Sequence, residues 1–179
     1  MTMAIPMHAS YEDKPGVPDR IFLDLSAREF ARQVSSWARL LSDRTSGAPT
    51  VVHLHHLTPM HEAVRSLWPT VPLVTHLHGT ELKMLAAARD GGFSTGRFTD
   101  AWVERMRQWA GRSDRLVVAS AMDRRLALDL LPVDAARVAT VANGVDTDVF
   151  APSVVQPAAR LAKWRHWLVD DPRGWRRKE

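Results

Sequence analysis

Four short apolar runs constrain this chain more than any other feature: TVVHLHH (50–56), PLVTHLH (72–78), DRLVVAS (114–120) and ARVATVANGVD (136–146). Each is flanked by a stretch with helical spacing. Runs of this length, bounded by turn residues, fit strands of a parallel sheet, whose partners across the sheet are reached through helices. Strand and helix in alternation require right-handed crossovers, and the expected fold class is α/β. The sheet is expected to be Rossmann-like, parallel, with helices on both faces.

The helices are read from their periodicity. In SAREFARQVSSWARLL, Phe30, Val34, Trp37 and Leu41 share one face, and Ser26 with Glu29 forms a capping box at the start. A second helix runs over about Met60 to Leu67 and stops before the prolines of WPTVP. ELKMLAAARD follows the second strand, and TDAWVERMRQWAGR carries Trp102, Met106 and Trp109 as a stripe suited to packing on the sheet. GGFSTG between them reads as a connector. In SAMDRRLALDLL, Ser120 is placed to cap, with Leu126, Leu130 and Leu131 facing inward, while Asp123, Arg124 and Arg125 read as a solvated first turn with Arg124 an outside candidate for phosphate. Residues 1–20 read as a loose lead, 21–152 as the Rossmann-like layer, and 153–179 as a helical, basic extension with Leu161, Trp164 and Leu168 on one side.

Several function classes drop out on composition. The chain has no cysteine, which removes disulfides, thiolate metal sites and a cysteine nucleophile. It has neither a signal-peptide lead nor an apolar stretch of the ~20 residues that a membrane span needs, so a cytoplasmic location is expected. The formal charge of +4 suits phosphates, anionic lipid or nucleic acid and selects none of them.

The polar residues gather where the strands end. In an open parallel sheet, ligands bind beyond the carboxyl ends of the strands, where loops converge and helix N-termini present free amides. His78, Gly79, Thr80 and Glu81 follow the second run, His55 and His56 end the first, and Ser120 and Asn143-Gly144 end the third and fourth. Each also has a plainer reading: a hydrogen-bonded structural histidine, a first-turn carboxylate for Glu81, a common turn pair for Asn143-Gly144.

THLHGTELKML (75–85) together with the stretch 113–152, which ends in NGVDTDVFAP, resembles the acceptor-side domain of family 4 of the retaining GT-B glycosyltransferases. The resemblance covers roughly residues 48–152, and Ala142 stands where the family usually has proline. It implies one half of a GT-B fold. It places His78 at the reacting centre, bonded to the transferred sugar or its acceptor, with Gly79 and Glu81 beside it; Thr80 and Ser120, at the same edge by their strand-end positions, complete the expected substrate-binding set. Asn143, Gly144 and Asp146 would form the interdomain hinge. No metal and no resident cofactor are implied; the co-substrate is a nucleotide sugar. The family's glycine-rich donor loop has no counterpart among residues 1–47, and its second, donor-binding domain has none before Glu179. The chain is therefore expected to be a fragment, inactive alone, whose partners are the donor, the acceptor and the missing domain.

Two other readings compete. HLHH (53–56), His61 and HLH (76–78) suggest a zinc hydrolase, since a His-x-His pair puts both rings on one face of a strand. Against it, the third and fourth strands end in Ser120 and Asn143, with Asp146 only after a turn. The tail KWRHWLVDDPRGWRRKE, with interleaved tryptophans, suggests a nucleic-acid or membrane-surface module, although Asp170 and Asp171 interrupt its charge. The expectation keeps weak contact with the inner membrane face and no nucleic acid, the tail helix docking on the missing domain.

Overall fold

The computed structural model describes residues 21–92 and 97–171. The lead over 1–20, four residues of the connector and the extreme tail lie outside the described residues. The chain divides into two compact units, one up to Asn143 and one from Gly144.

The first unit opens with helix α1 (Ala27–Arg44), held by the capping box: Ser26 N–H donates to Glu29 Oε2 at 3.0 Å and Glu29 N–H to Ser26 Oγ at 3.3 Å. Strand β1 (Val52–His55), α2 (Met60–Leu67), β2 (Leu73–Leu77), α3 (Thr80–Arg89), α4 (Thr99–Arg112), β3 (Arg115–Val118), α5 (Ala121–Leu130) and β4 (Val138–Thr140) follow. Strand and helix thus alternate as the apolar runs require. The four strands form one parallel sheet in the order β1-β2-β3-β4, in a register that sets His55 beside His76 and Leu77 beside Val118.

That order has a consequence for coverage. Right-handed crossovers that always step the same way across a sheet leave their helices on one side of it. Burial follows: Leu54, Leu73, Thr75, Leu77, Leu116, Val118 and Val138 are buried, whereas His53, His55, Val74, His76, Val117 and Ala139 on the alternate face are exposed or half-exposed. The α/β class holds, with helix cover uneven between the faces among the described residues.

The core lies between the covered face and the helices. Trp102 and Trp109 of α4 meet edge to face at 5.2 Å, Phe22 stacks on Trp102 at 4.4 Å, and Phe30 of α1 stacks on Trp109 at 6.0 Å. These aromatics contribute the largest buried side chains, and Met106 sits fully buried among them, as its helical spacing requires. A smaller cluster of Leu54, Val64 and Leu73 fills the space beneath β1.

One guanidinium ties the other end of the sheet together. Arg65 donates to Val71 O at 2.7 Å, Pro69 O at 3.2 Å, Arg112 O at 2.9 Å and Asp114 Oδ2 at 3.2 Å, while Leu73 N–H donates to the same Asp114 oxygen at 2.8 Å. The bond from Leu73, reinforced by Arg65, holds the Asp114 carboxyl below its ordinary range. The starts of β2 and β3 are fixed by this knot, which leaves their opposite ends free to carry polar groups.

The second unit begins with a turn at Asp146 and continues into α6 (Pro157–Arg165) and a π-helical turn over His166–Asp170. Leu161, Trp164 and Leu168 are exposed along it, and Lys163 Nζ sits 4.5 Å above the Trp167 ring. None of the described helices is long and apolar enough to cross a membrane.

Candidate active site

The site is built at the carboxyl edge of β1 and β2. β1 ends at His55, and the next residue, His56, has φ of +61°, a left-handed conformation that side-chain-bearing residues adopt rarely and that gathers at functional sites. His56 N–H still pairs with His76 O at 2.9 Å, so the turn is taken without losing the ladder. Its ring leaves the strand and reaches Glu81, Nδ1 to Oε1 at 3.1 Å. Glu81 has no exposed surface and also accepts from His78 N–H through Oε2 at 3.3 Å.

β2 is continued by His78 and then Gly79, which caps α3 with φ of +85°. Glycine is required there because the turn from strand into helix passes through left-handed backbone. Glu81 then falls in the first turn of α3, where the helix dipole favours a carboxylate. The fully buried carboxylate therefore acts on its two histidines, holding the ring of one and the backbone of the other. The Glu81 bond raises the His56 pKa, against the effect of partial burial. The His78 ring is exposed, and its pKa is lowered by partial desolvation and then by neighbouring His56 and His76, a shift that favours the uncharged form. A neutral imidazole offers one donor and one acceptor.

Four imidazoles form a stack on the less covered face. His53 lies 4.8 Å from His55, His76 lies 5.5 Å from His55, and His78 lies 5.0 Å from His55 and 4.5 Å from His76, between ring centroids. His55 Nδ1 and His78 Nε2 are 2.7 Å apart, and one ligand nitrogen from each of His55, His76 and His78 lies within 4.8 Å of the others, which makes these three the residues that could hold a metal. Desolvation and the neighbouring His55 and His53 lower the His76 pKa.

The remaining expected residues are placed as follows. Thr80 is half-buried at the start of α3. Ser120 caps α5: its hydroxyl accepts from Asp123 N–H at 3.0 Å and donates to Asp123 Oδ2 at 2.6 Å. Asp123 reads as solvated in sequence, yet its Oδ1 lies 3.5 Å from where a Cβ on Gly79 would stand, so the starts of α5 and α3 adjoin. Arg124 is half-buried and engaged rather than free for phosphate: it donates to Val138 O at 3.3 Å and Ala135 O at 2.9 Å, strapping α5 to the start of β4. His61 is also corrected. It is 1% exposed and bonds Thr75 Oγ1 at 3.0 Å on the covered face, so it cannot join the other histidines as the hydrolase reading supposed. Asn143 ends the first unit and Gly144 begins the second; Asp146 Oδ1 accepts from the amides of Asp148 and Val149 at 3.0 and 3.1 Å, a local turn.

The family model described as Glycosyltransferase Family 4 matches residues 5–149. The chain belongs to glycosyltransferase family 4. No curated protein matches it. The match covers the sheet, all four strand ends and the Asn143–Asp146 turn. The family 4 assignment thus agrees with the parallel α/β layer and makes the domain part of a glycosyltransferase. In this family 4 domain, the exposed His78 imidazole stands at a strand end beside a left-handed glycine and a helix start; its Nε2 pairs with His55 Nδ1, so Nδ1 is the nitrogen left to meet a sugar-sized ligand.

Proposed function

We propose that this is the acceptor-side half of a retaining GT-B glycosyltransferase, moving a sugar from a nucleotide-sugar donor to an acceptor hydroxyl. The bond from the anomeric carbon to the nucleotide diphosphate breaks, the diphosphate leaves with the electron pair, and the acceptor oxygen bonds to the same carbon with its configuration kept, its hydroxyl proton passing to the departing diphosphate. The observation that carries this reading is the His78 ring, exposed at the end of β2, with its backbone held by a buried carboxylate in a family 4 domain. His78 hydrogen-bonds the transferred sugar or its acceptor. Gly79 lets the ligand approach the α3 amides, Thr80 and Ser120 border it, and Glu81 positions His56 and His78 from beneath. Asn143, Gly144 and Asp146 serve as the hinge toward a donor-binding domain. On this reading the acceptor side does not transfer alone. The exposed Leu161, Trp164 and Leu168 of α6 and its turn support docking on that donor-binding domain; weak contact with the inner membrane face and a cytoplasmic site of action belong to the same proposal.

The test is transfer by this chain joined to a family 4 donor-binding domain, with a panel of nucleotide sugars. His78→Ala is expected to lower kcat by about 100-fold or more, the usual cost of losing a preorganised hydrogen-bonding group at a reacting centre. Unchanged transfer in His78→Ala would overturn the site, and binding of a nucleotide sugar by the 179-residue chain alone would overturn the division of labour.

A further inference from the structure

We propose that the less covered face of the sheet binds one divalent cation of the zinc class, held by the imidazoles of His55, His76 and His78. The geometry comes from the strands. Alternate residues of a strand point to one face, so His76 and His78 share a side of β2, and the register sets His55 directly beside His76. Three rings converge from two paired parallel strands, a base less pliable than a loop. Their candidate ligand nitrogens all lie within 4.8 Å of one another, and the closest pair, His55 Nδ1 and His78 Nε2, is 2.7 Å apart. A tetrahedral ion with Zn–N bonds of ~2.0–2.1 Å needs nitrogens about 3.3 Å apart, which falls between those distances. The rings that would have to turn, His55 and His78, are both exposed.

A second observation points the same way. Nε2 of His76 is buried and has no hydrogen-bond partner among the described residues. A buried polar atom left without a partner is costly, and coordination would satisfy it. The ligand type is also selective: three imidazoles without thiolate or carboxylate suit zinc and its late first-row neighbours and do not suit magnesium or calcium. Three protein ligands leave a coordination position open. Around the three lie His53, stacked on His55 and 5.8 Å from His76, and His56, tilted against His78 at 4.6 Å and fixed by Glu81. His61 is on the covered face and takes no part.

This inference does not rest on sugar transfer: the ion takes one nitrogen of His78 and leaves the other to meet a sugar, the transfer as proposed needs no metal, and the test reads metal alone. The full 179-residue chain, free of any histidine tag, is dialysed against Zn²⁺ and its metal content measured, then titrated with Co²⁺ as a spectroscopic probe. One Zn²⁺ per chain is expected, with the visible bands of tetrahedral cobalt. His55→Ala and His76→Asn should each weaken binding at least ~10-fold, since removal even of an outer-shell partner costs that much, while His166→Ala should leave it intact. Melting without metal identifies any variant that has not folded; exposed His55 is the site where substitution leaves the fold alone. Substoichiometric zinc in the unaltered chain, or equal binding by His55→Ala and the parent, would overturn the site.

Discussion

Acid should unfold this domain through one buried histidine. His61 is enclosed between α2 and the covered face of the sheet, and its hydrogen bonds run in one direction: His61 Nε2–H to Thr75 Oγ1 at 3.0 Å, Thr75 to Ser113 Oγ at 2.7 Å, and Ser113 to Trp109 O at 2.9 Å. That chain assigns a proton to Nε2, while Nδ1 faces Thr58 alone, its N–H at 3.3 Å and its carbonyl at 3.0 Å. Burial, with a smaller effect of nearby Arg65, lowers the pKa from 6.5 to about 4. Above 6.5 the ring is neutral whether the chain is folded or not, and it contributes no pH dependence. Between 6.5 and about 4 the unfolded chain takes up a proton that the folded chain refuses, so stability falls as pH falls. At ~1.4 kcal/mol for each pH unit the full loss is about 3 kcal/mol, of which about 2–3 kcal/mol has gone by about pH 4.5. With a urea slope of about 2 kcal/mol per M, the unfolding midpoint should drop by about 1 M from this residue. Urea melts of the chain and of His61→Gln, at about pH 7.5 and about pH 4.5, isolate it from other titrating groups. Glutamine keeps a donor near Thr75 and cannot charge, so the variant should lose about 2–3 kcal/mol less on acidification. Equal acid losses in the two proteins would refute the reasoning.

Other substitutions probe the remaining joints. Gly79→Ala should cost about 1–2 kcal/mol, a left-handed backbone strain, because the added carbon would meet Asp123 Oδ1 only at an ordinary 3.5 Å; thermal melting checks it. Arg65→Met, which keeps the apolar stem and removes four hydrogen bonds, should cost about 2 kcal/mol by urea melts, with the loss spread over the starts of β2 and β3 in hydrogen exchange. Ser120→Ala removes the α5 cap and should cost about 1 kcal/mol; in the transferase assay it should raise KM as well if Ser120 borders the substrate as proposed.

What could be read from the sequence was local. The capping box at Ser26 and the Trp102-Met106-Trp109 stripe declare themselves within one or two turns, and both form as written. The four apolar runs locate the strands because each is short and ends in turn residues. Partnerships across long separations could not be read. Nothing near His61 announces Thr75 or Ser113, and only the sheet order decides that His61 lies on the face opposite His55, although both are histidines close to the same strand. Arg124 looked free because its acceptors are the carbonyls of Ala135 and Val138, which carry no side-chain signature. The left-handed turn at His56 is equally silent, since it sits at a residue other than glycine. The site itself was half legible: the string HGTE marked its place, while Glu81's burial and its double hold on His56 and His78 follow from packing.

The unbroken β1-β2-β3-β4 order also bears on how the domain is made. Each strand pairs with the one that precedes it in the chain, so no gap has to be kept open for a strand that comes later. A chain leaving the ribosome can lay down its sheet from one edge, each new strand closing a loop over a template already in place. The closure cost is met in instalments and the long-range searches that slow parallel sheets are shortened. β4, with only three residues and a single neighbour among the described residues, is then the last of these four to join and the first to detach.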